Sequence, residues 1–251
     1  MTIKLQWIVF GILLIINVLL AFVSYAWMPF DQLGEGNNLS SSLPEMPRWL
    51  LALSNSLSVL FLYGLLGAIG LWFSNKLNSP GIFRENANWK NLFLYPLIIG
   101  LIIGVFMVVL DRFFASLGDW QGFSHPLFPF SVIASATAGI GEEIFFRLFM
   151  IGLWGCLLNF LIGRWVSLNT NLRIANFIAA IAFSAAHLPI SMLLFKVDTP
   201  AKLPAIVLLE VFLLNSIVGL VAGERFVKDG LVAAVGVHFW ADIIWHVVFP
   251  L

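Results

Sequence analysis

The sequence predicts an all-α fold, a polytopic transmembrane helix bundle, and three features predict it. Seven stretches are long and apolar enough to cross a bilayer, which takes about 20 residues each. Charged residues are 10% of the chain and hydrophobic ones 61%, with a mean hydropathy of +0.98. Ten Trp and 24 Phe suit lipid contact and interfacial aromatic belts. A soluble domain of 251 residues carries about a quarter charged residues, so apolar surface here must face lipid. The zero net charge argues against nucleic acid or a strongly acidic partner. The single cysteine, Cys156, excludes an internal disulfide framework. Residues 1–251 read as one integral-membrane domain, without internal repeats or low-complexity tracts.

The first span is expected from Trp7 to Trp27. It is long for a signal peptide and lacks a small-x-small cleavage site, so it reads as a retained anchor. The second runs from Trp49 to Phe73, the third from Asn91 to Val109 and the fourth from Val132 to Leu161. The fifth, Ile174 to Pro189, is short, and Leu193 to Phe195 extend it. The sixth covers Leu203 to Ala222 and the seventh Gly230 to Phe249. A half-span in Phe113 to Phe130 would make an eighth. The Leu33 to Ser42 stretch reads as an outside loop and Lys76 to Lys90 as a polar cytoplasmic one. With seven spans one side collects Lys4, Lys76, Arg84, Lys90, Arg164, Arg173, Arg225 and Lys228. The other collects Arg48, Arg112, Lys196 and Lys202. The positive-inside rule then predicts a cytoplasmic N-terminus, in a plasma (inner) membrane.

Ionisable residues inside spans are the functional signal, because each costs about 2.5–3.5 kcal/mol at mid-bilayer. They are Glu142, Glu143, Arg147, His187, Glu210, His238, Asp242 and His246. Glu143 and Arg147 stand four apart, acid first, and are expected to pair. Glu142 points about 100° away and lacks an equal partner, which makes it a candidate acid or base. Upstream, Ala134, Ser135, Ala136, Ala138, Gly139 and Gly141 form a small-residue surface that admits a neighbouring helix. Phe183 and His187 share a face, and a lone helical His is usually structural. His238 and Asp242 also share a face, with either a structural hydrogen bond or a fixed imidazole tautomer as the reason. His246 and Glu210 read as structural, Glu210 as an interhelical hydrogen-bonding group. At ~1.5 Å per residue, Glu142, His187 and His238 lie about 15, 20 and 12 Å along their spans, compatible with one mid-membrane site.

Taken in order, Glu142-Glu143-x-x-x-Arg147, Phe183-x-x-x-His187 and His238-x-x-x-Asp242 resemble the CPBP (Abi) family of CAAX proteases and bacteriocin-processing enzymes. That family includes the Ras-converting CAAX endoprotease. The resemblance covers roughly residues 130 to 246, and residues 130–249 would carry the peptidase core. It implies an intramembrane glutamate-type endopeptidase acting on a membrane-associated protein or a prenylated or leader peptide. It implies that Glu142 and His187 activate water, that His238 and Asp242 stabilise the oxyanion, and that Glu143, Arg147 and Phe183 support the site. An ionised Asp cannot donate to an oxyanion, so Asp242 is expected to be protonated or to orient His238. The family core has eight helices, one more than counted here.

Three other readings compete. Zinc could sit on Glu142, His187 and His238, but no HExxH is present and metal-free chemistry without a cofactor is preferred. A proton-coupled transporter would also carry intramembrane acids and imidazoles, but no inverted repeat accompanies them. A catalytically idle scaffold would keep the fold without needing the motifs intact.

Overall fold

The computed structural model describes residues 3–27, 46–118, 123 and 125–250. Among them seven helices are long and apolar enough to span a membrane: α1 Ile3–Trp27, α2 Arg48–Leu77, α3 Lys90–Gly118, α4 Phe130–Ile162, α5 Leu168–Leu194, α6 Ala205–Asp229 and α7 Leu231–Val248. No strand occurs among these residues. The expected loop from Leu33 to Ser42 lies outside them. Of the Phe113 to Phe130 candidate for an eighth half-span, 113–118 extend α3, 123 and 125–127 are not helical, and 119–122 and 124 lie outside the described residues.

The bundle turns apolar side chains outward and polar ones inward. Ile8, Ile12, Ile15, Leu19, Phe61, Leu65, Ile102 and Phe160 are exposed, while Asn17, Asp111, Glu143, Arg147, Glu210, His238 and Asp242 are buried. This is the arrangement that lipid as solvent demands, and the chain is an integral, multi-pass membrane protein. Exposed Trp27 and Trp49 mark one end of the bundle; Trp7, Trp72, Trp89 and Trp165 mark the other. These are the levels expected of interfacial aromatic belts.

Local chemistry sets where the helices begin and break. Pro47, Pro129 and Pro204 stand directly before α2, α4 and α6, where a missing N–H is no loss. Ser167 caps α5 by accepting from the Thr170 N–H at 3.2 Å. Pro189 breaks α5 into Leu168–Ala186 and Leu188–Leu194, leaving His187 at the joint. Its ring opposes the carbonyl four residues back, so the span continues past proline only after this kink.

α3 runs nine residues past the Val109 end expected from sequence. Asp111 and Arg112 look like a stop signal, but both are accommodated. Asp111 is buried and faces Glu210 of α6, and the Arg112 guanidinium lies 4.5 Å from the Phe249 ring centre. α6 likewise extends beyond Ala222, because Glu224–Lys228 and Arg225–Asp229 pair one turn apart at 3.1 and 2.6 Å.

Two contacts hold α7, the helix that carries His238 and Asp242. Along its length it packs on α3 so closely that a Cβ on Gly104 would lie 2.7 Å from the Ala241 carbonyl oxygen and 2.5 Å from Ile244 Cβ. At its start, Gly230 turns the chain from α6 with φ of 100°, a conformation available mainly to glycine. The Leu231 and Val232 N–H groups then donate to the Gly81 and Ile82 carbonyls at 2.9 and 3.0 Å. The loop after α2 thereby satisfies donors that a helix start leaves unpaired.

Candidate active site

α4 and α7 each change helical winding at their motif. α4 is an α-helix through Glu143 and a π-helix over Ile144–Ile151. α7 is an α-helix through Asp242 and a π-helix over Ile243–Val248. Such insertions recur at functional positions. Here they follow both acidic residues directly, so each carboxyl sits at the junction of two windings.

The two neighbouring glutamates have separate surroundings. Glu143 is fully buried and bridges two motifs. Its Oε2 lies 3.0 Å from Arg147 Nε, and its Oε1 accepts from His238 Nδ1 at 2.9 Å. The expected Glu143–Arg147 pairing is therefore present, with a second bond that the i,i+4 reading did not contain. The buried Arg147 guanidinium is further balanced by π faces, its Cζ 4.8 Å from the Phe183 ring centre and 5.9 Å from Phe146. Glu142 points elsewhere. Its side chain is 30% exposed, and Oε2 stands 4.0 Å from His238 Nε2, beyond hydrogen-bond reach.

His238 is thus oriented by Glu143, not by Asp242 as the shared helix face suggested. With Nδ1–H donated to the Glu143 carboxylate, Nε2 faces Glu142 and the Asp242 Oδ2 at 3.5 Å. His187 is oriented by its own helix. Its Nδ1 meets the Phe183 carbonyl oxygen at 2.8 Å. A carbonyl only accepts, so Nδ1 carries hydrogen and a neutral ring presents a lone pair at Nε2. Phe183 stands between the imidazoles, its ring edge-on to His187 at 4.7 Å and to His238 at 5.5 Å between centres.

Glu142, His187, His238 and Asp242 line one cavity of about 220 Å³, with Asn215 and His246 also on its wall. That is room for about seven waters at bulk density. Met107, Phe123, Ile190, Leu194, Leu214 and Trp245 supply an apolar remainder. Glu143 and Arg147 stay behind the wall. Sequence reading missed three features here. Asn215 was not given a site role. His246 reaches out of α7 to His125, Nδ1 to Nδ1 at 3.0 Å. Asp111, placed beyond the third span, faces Glu210 one turn from the cavity. A longer third span would have exposed the last.

Among the described residues no group of three or more His, Cys, Asp or Glu side chains is arranged to hold a metal ion.

The cavity is thus walled by the carboxyls of Glu142 and Asp242 and by two oriented imidazoles. Residues 124–244 match the family model described as type II CAAX prenyl endopeptidase Rce1-like. All three motifs lie within this stretch. No curated protein and no solved structure is detectably similar to the chain.

Proposed function

We propose that this chain is a metal-free intramembrane endopeptidase in which Glu142 and His187 activate the attacking water. The observation that carries the reading is the shared cavity wall: a carboxylate without a strong partner and an imidazole with Nε2 left as base. Water loses its proton to this pair and attacks the scissile carbonyl carbon. The carbonyl oxygen gains the negative charge, which a preorganised donor must meet. His238 in its imidazolium form offers Nε2–H, because Nδ1–H is committed to Glu143. Asp242, 3.5 Å from Nε2, holds the ring and adds a donor of its own only when protonated. The tetrahedral intermediate collapses as the proton passes to the leaving amine, and the C–N bond breaks.

The substrate is a membrane-associated protein or a prenylated or leader peptide, entering from the bilayer. Residues 1–251 act as one domain, with the N-terminus on the cytoplasmic side of a plasma (inner) membrane, as the Lys/Arg asymmetry favours. Terminal-peptide mass spectrometry of cells carrying wild type or Glu142→Ala tests the reaction. Peptides present only with wild type are expected, and activity of the purified protein should survive a chelator. Identical peptides at equal protein abundance would leave a scaffold in place of an enzyme.

A further inference from the structure

We infer that α1 and α2, outside the matched stretch, complete the site: Asn17 and Tyr63 are positioning residues that set the Glu142 carboxylate. The inference rests on the reading of Glu142 as the base.

Asn17 is fully buried in α1, and neither its amide nitrogen nor its oxygen has a hydrogen-bond partner among the described residues. Burying an unpaired amide costs free energy that a leucine of similar size would not. The packing explains where the amide is aimed. A Cβ on Gly141 would lie 2.9 Å from Asn17 Nδ2 and 2.9 and 3.0 Å from Tyr63 Cε2 and Cζ. Gly141 directly precedes Glu142, so the amide and the phenol end of the ring both press on the backbone that presents the carboxylate. Only glycine leaves room for them. The depths agree: Asn17 is ten residues from the Trp27 end of α1 and Glu142 twelve from the Phe130 start of α4, about 15 and 18 Å from the same face.

The second observation lies on Glu142 itself. Its Oε2 is buried without a hydrogen-bond partner among the described residues. An unpartnered amide therefore packs on Gly141, the residue next to an unpartnered carboxylate oxygen. Asn17 and the Tyr63 hydroxyl, directly or across one water, steady one carboxylate oxygen and leave the other for the attacking water.

The test is cleavage by the full chain in lipid, with thermal unfolding measured beside it, for wild type, Asn17→Leu, Tyr63→Phe and Glu142→Ala. Loss of one hydrogen bond to a charged group corresponds to about 10- to 100-fold in kcat. Asn17→Leu is expected to lose that much kcat with KM nearly unchanged and a shifted pH profile, while its unfolding temperature holds or rises. Tyr63→Phe should move kcat and the pH profile in the same direction, which keeps the test open if Asn17→Leu does not fold. Wild-type kcat and pH profile in Tyr63→Phe, or loss of activity and stability in parallel in Asn17→Leu, would overturn the inference. If Glu142→Ala cleaves like wild type, the peptidase reading fails first and this one with it.

Discussion

Glu143 and Arg147 invite a double-mutant cycle, because both are fully buried and form an ion pair at 3.0 Å. Arg147→Met leaves the Glu143 carboxylate in the core with only His238 beside it. Breaking a buried pair on one side costs about 3–5 kcal/mol. Glu143→Leu strands the guanidinium at similar cost and also leaves His238 Nδ1–H without an acceptor, about 1–3 kcal/mol more. The double variant Glu143→Leu/Arg147→Met removes both charges and leaves only the imidazole orphan. It should therefore cost about 1–3 kcal/mol, less than Arg147→Met alone. Thermal or denaturant unfolding in bicelles gives the three values. Additive losses, with the double variant the least stable, would refute this account of the pair. The two variants that lack Glu143 should lose cleavage, since His238 Nδ1 then has no acceptor to hold it.

Glu142→Gln should separate chemistry from stability: cleavage falls about 10²–10⁴-fold, while unfolding shifts by less than about 1 kcal/mol, since this side chain is partly exposed and outside the buried Glu143–Arg147 pair. An unfolding loss comparable to that of Glu143→Leu would contradict its separation from the buried pair. His125, between α3 and α4, is pushed down to about 4 by burial and then by the charge of Arg112. Its folded value lies below the ordinary one near 6.5, so the unfolded chain takes the proton first. Stability from this group is full above about pH 6.5 and declines as pH falls toward 4. The unfolding temperature should drop between pH 7 and 5 and drop less in His125→Phe; equal drops in both would place the effect elsewhere. Gly104→Leu drives a side chain into Ala241 and Ile244 and should destabilise by about 1–3 kcal/mol, with unfolding unchanged from wild type as the contrary result.

Apolar run length made the seven spans legible, and the four residues grouped by motif spacing, Glu142, His187, His238 and Asp242, line one cavity. What escaped was carried by contacts between distant segments. The end of α3 was misplaced because Asp111 and Arg112 read as solvent-seeking, whereas Glu210 and Phe249 provide for them inside the bundle. The continuation of α5 past Pro189 depended on a kink at His187. The partner of His238 was assigned within its own helix, to Asp242, because i,i+4 is the relation a sequence displays. The shorter bond runs to Glu143, 95 positions away, and has no local signature.

That longer-range bond explains why two adjacent glutamates are useful rather than repulsive. On a helix, neighbours diverge by about 100°, so one faces the bundle while the other faces the cavity. Glu143 is saturated by Arg147 and His238 and fixes which imidazole nitrogen faces the cavity. Glu142 is left without a strong partner, and only a group in that condition can exchange a proton with water cheaply. Exchanging their surroundings would tie the cavity carboxylate to Arg147 and free the one that water does not reach. In the proposed mechanism the motif thus divides into a residue that builds and a residue that reacts, and the π-helical turn following Glu143 lies at that division.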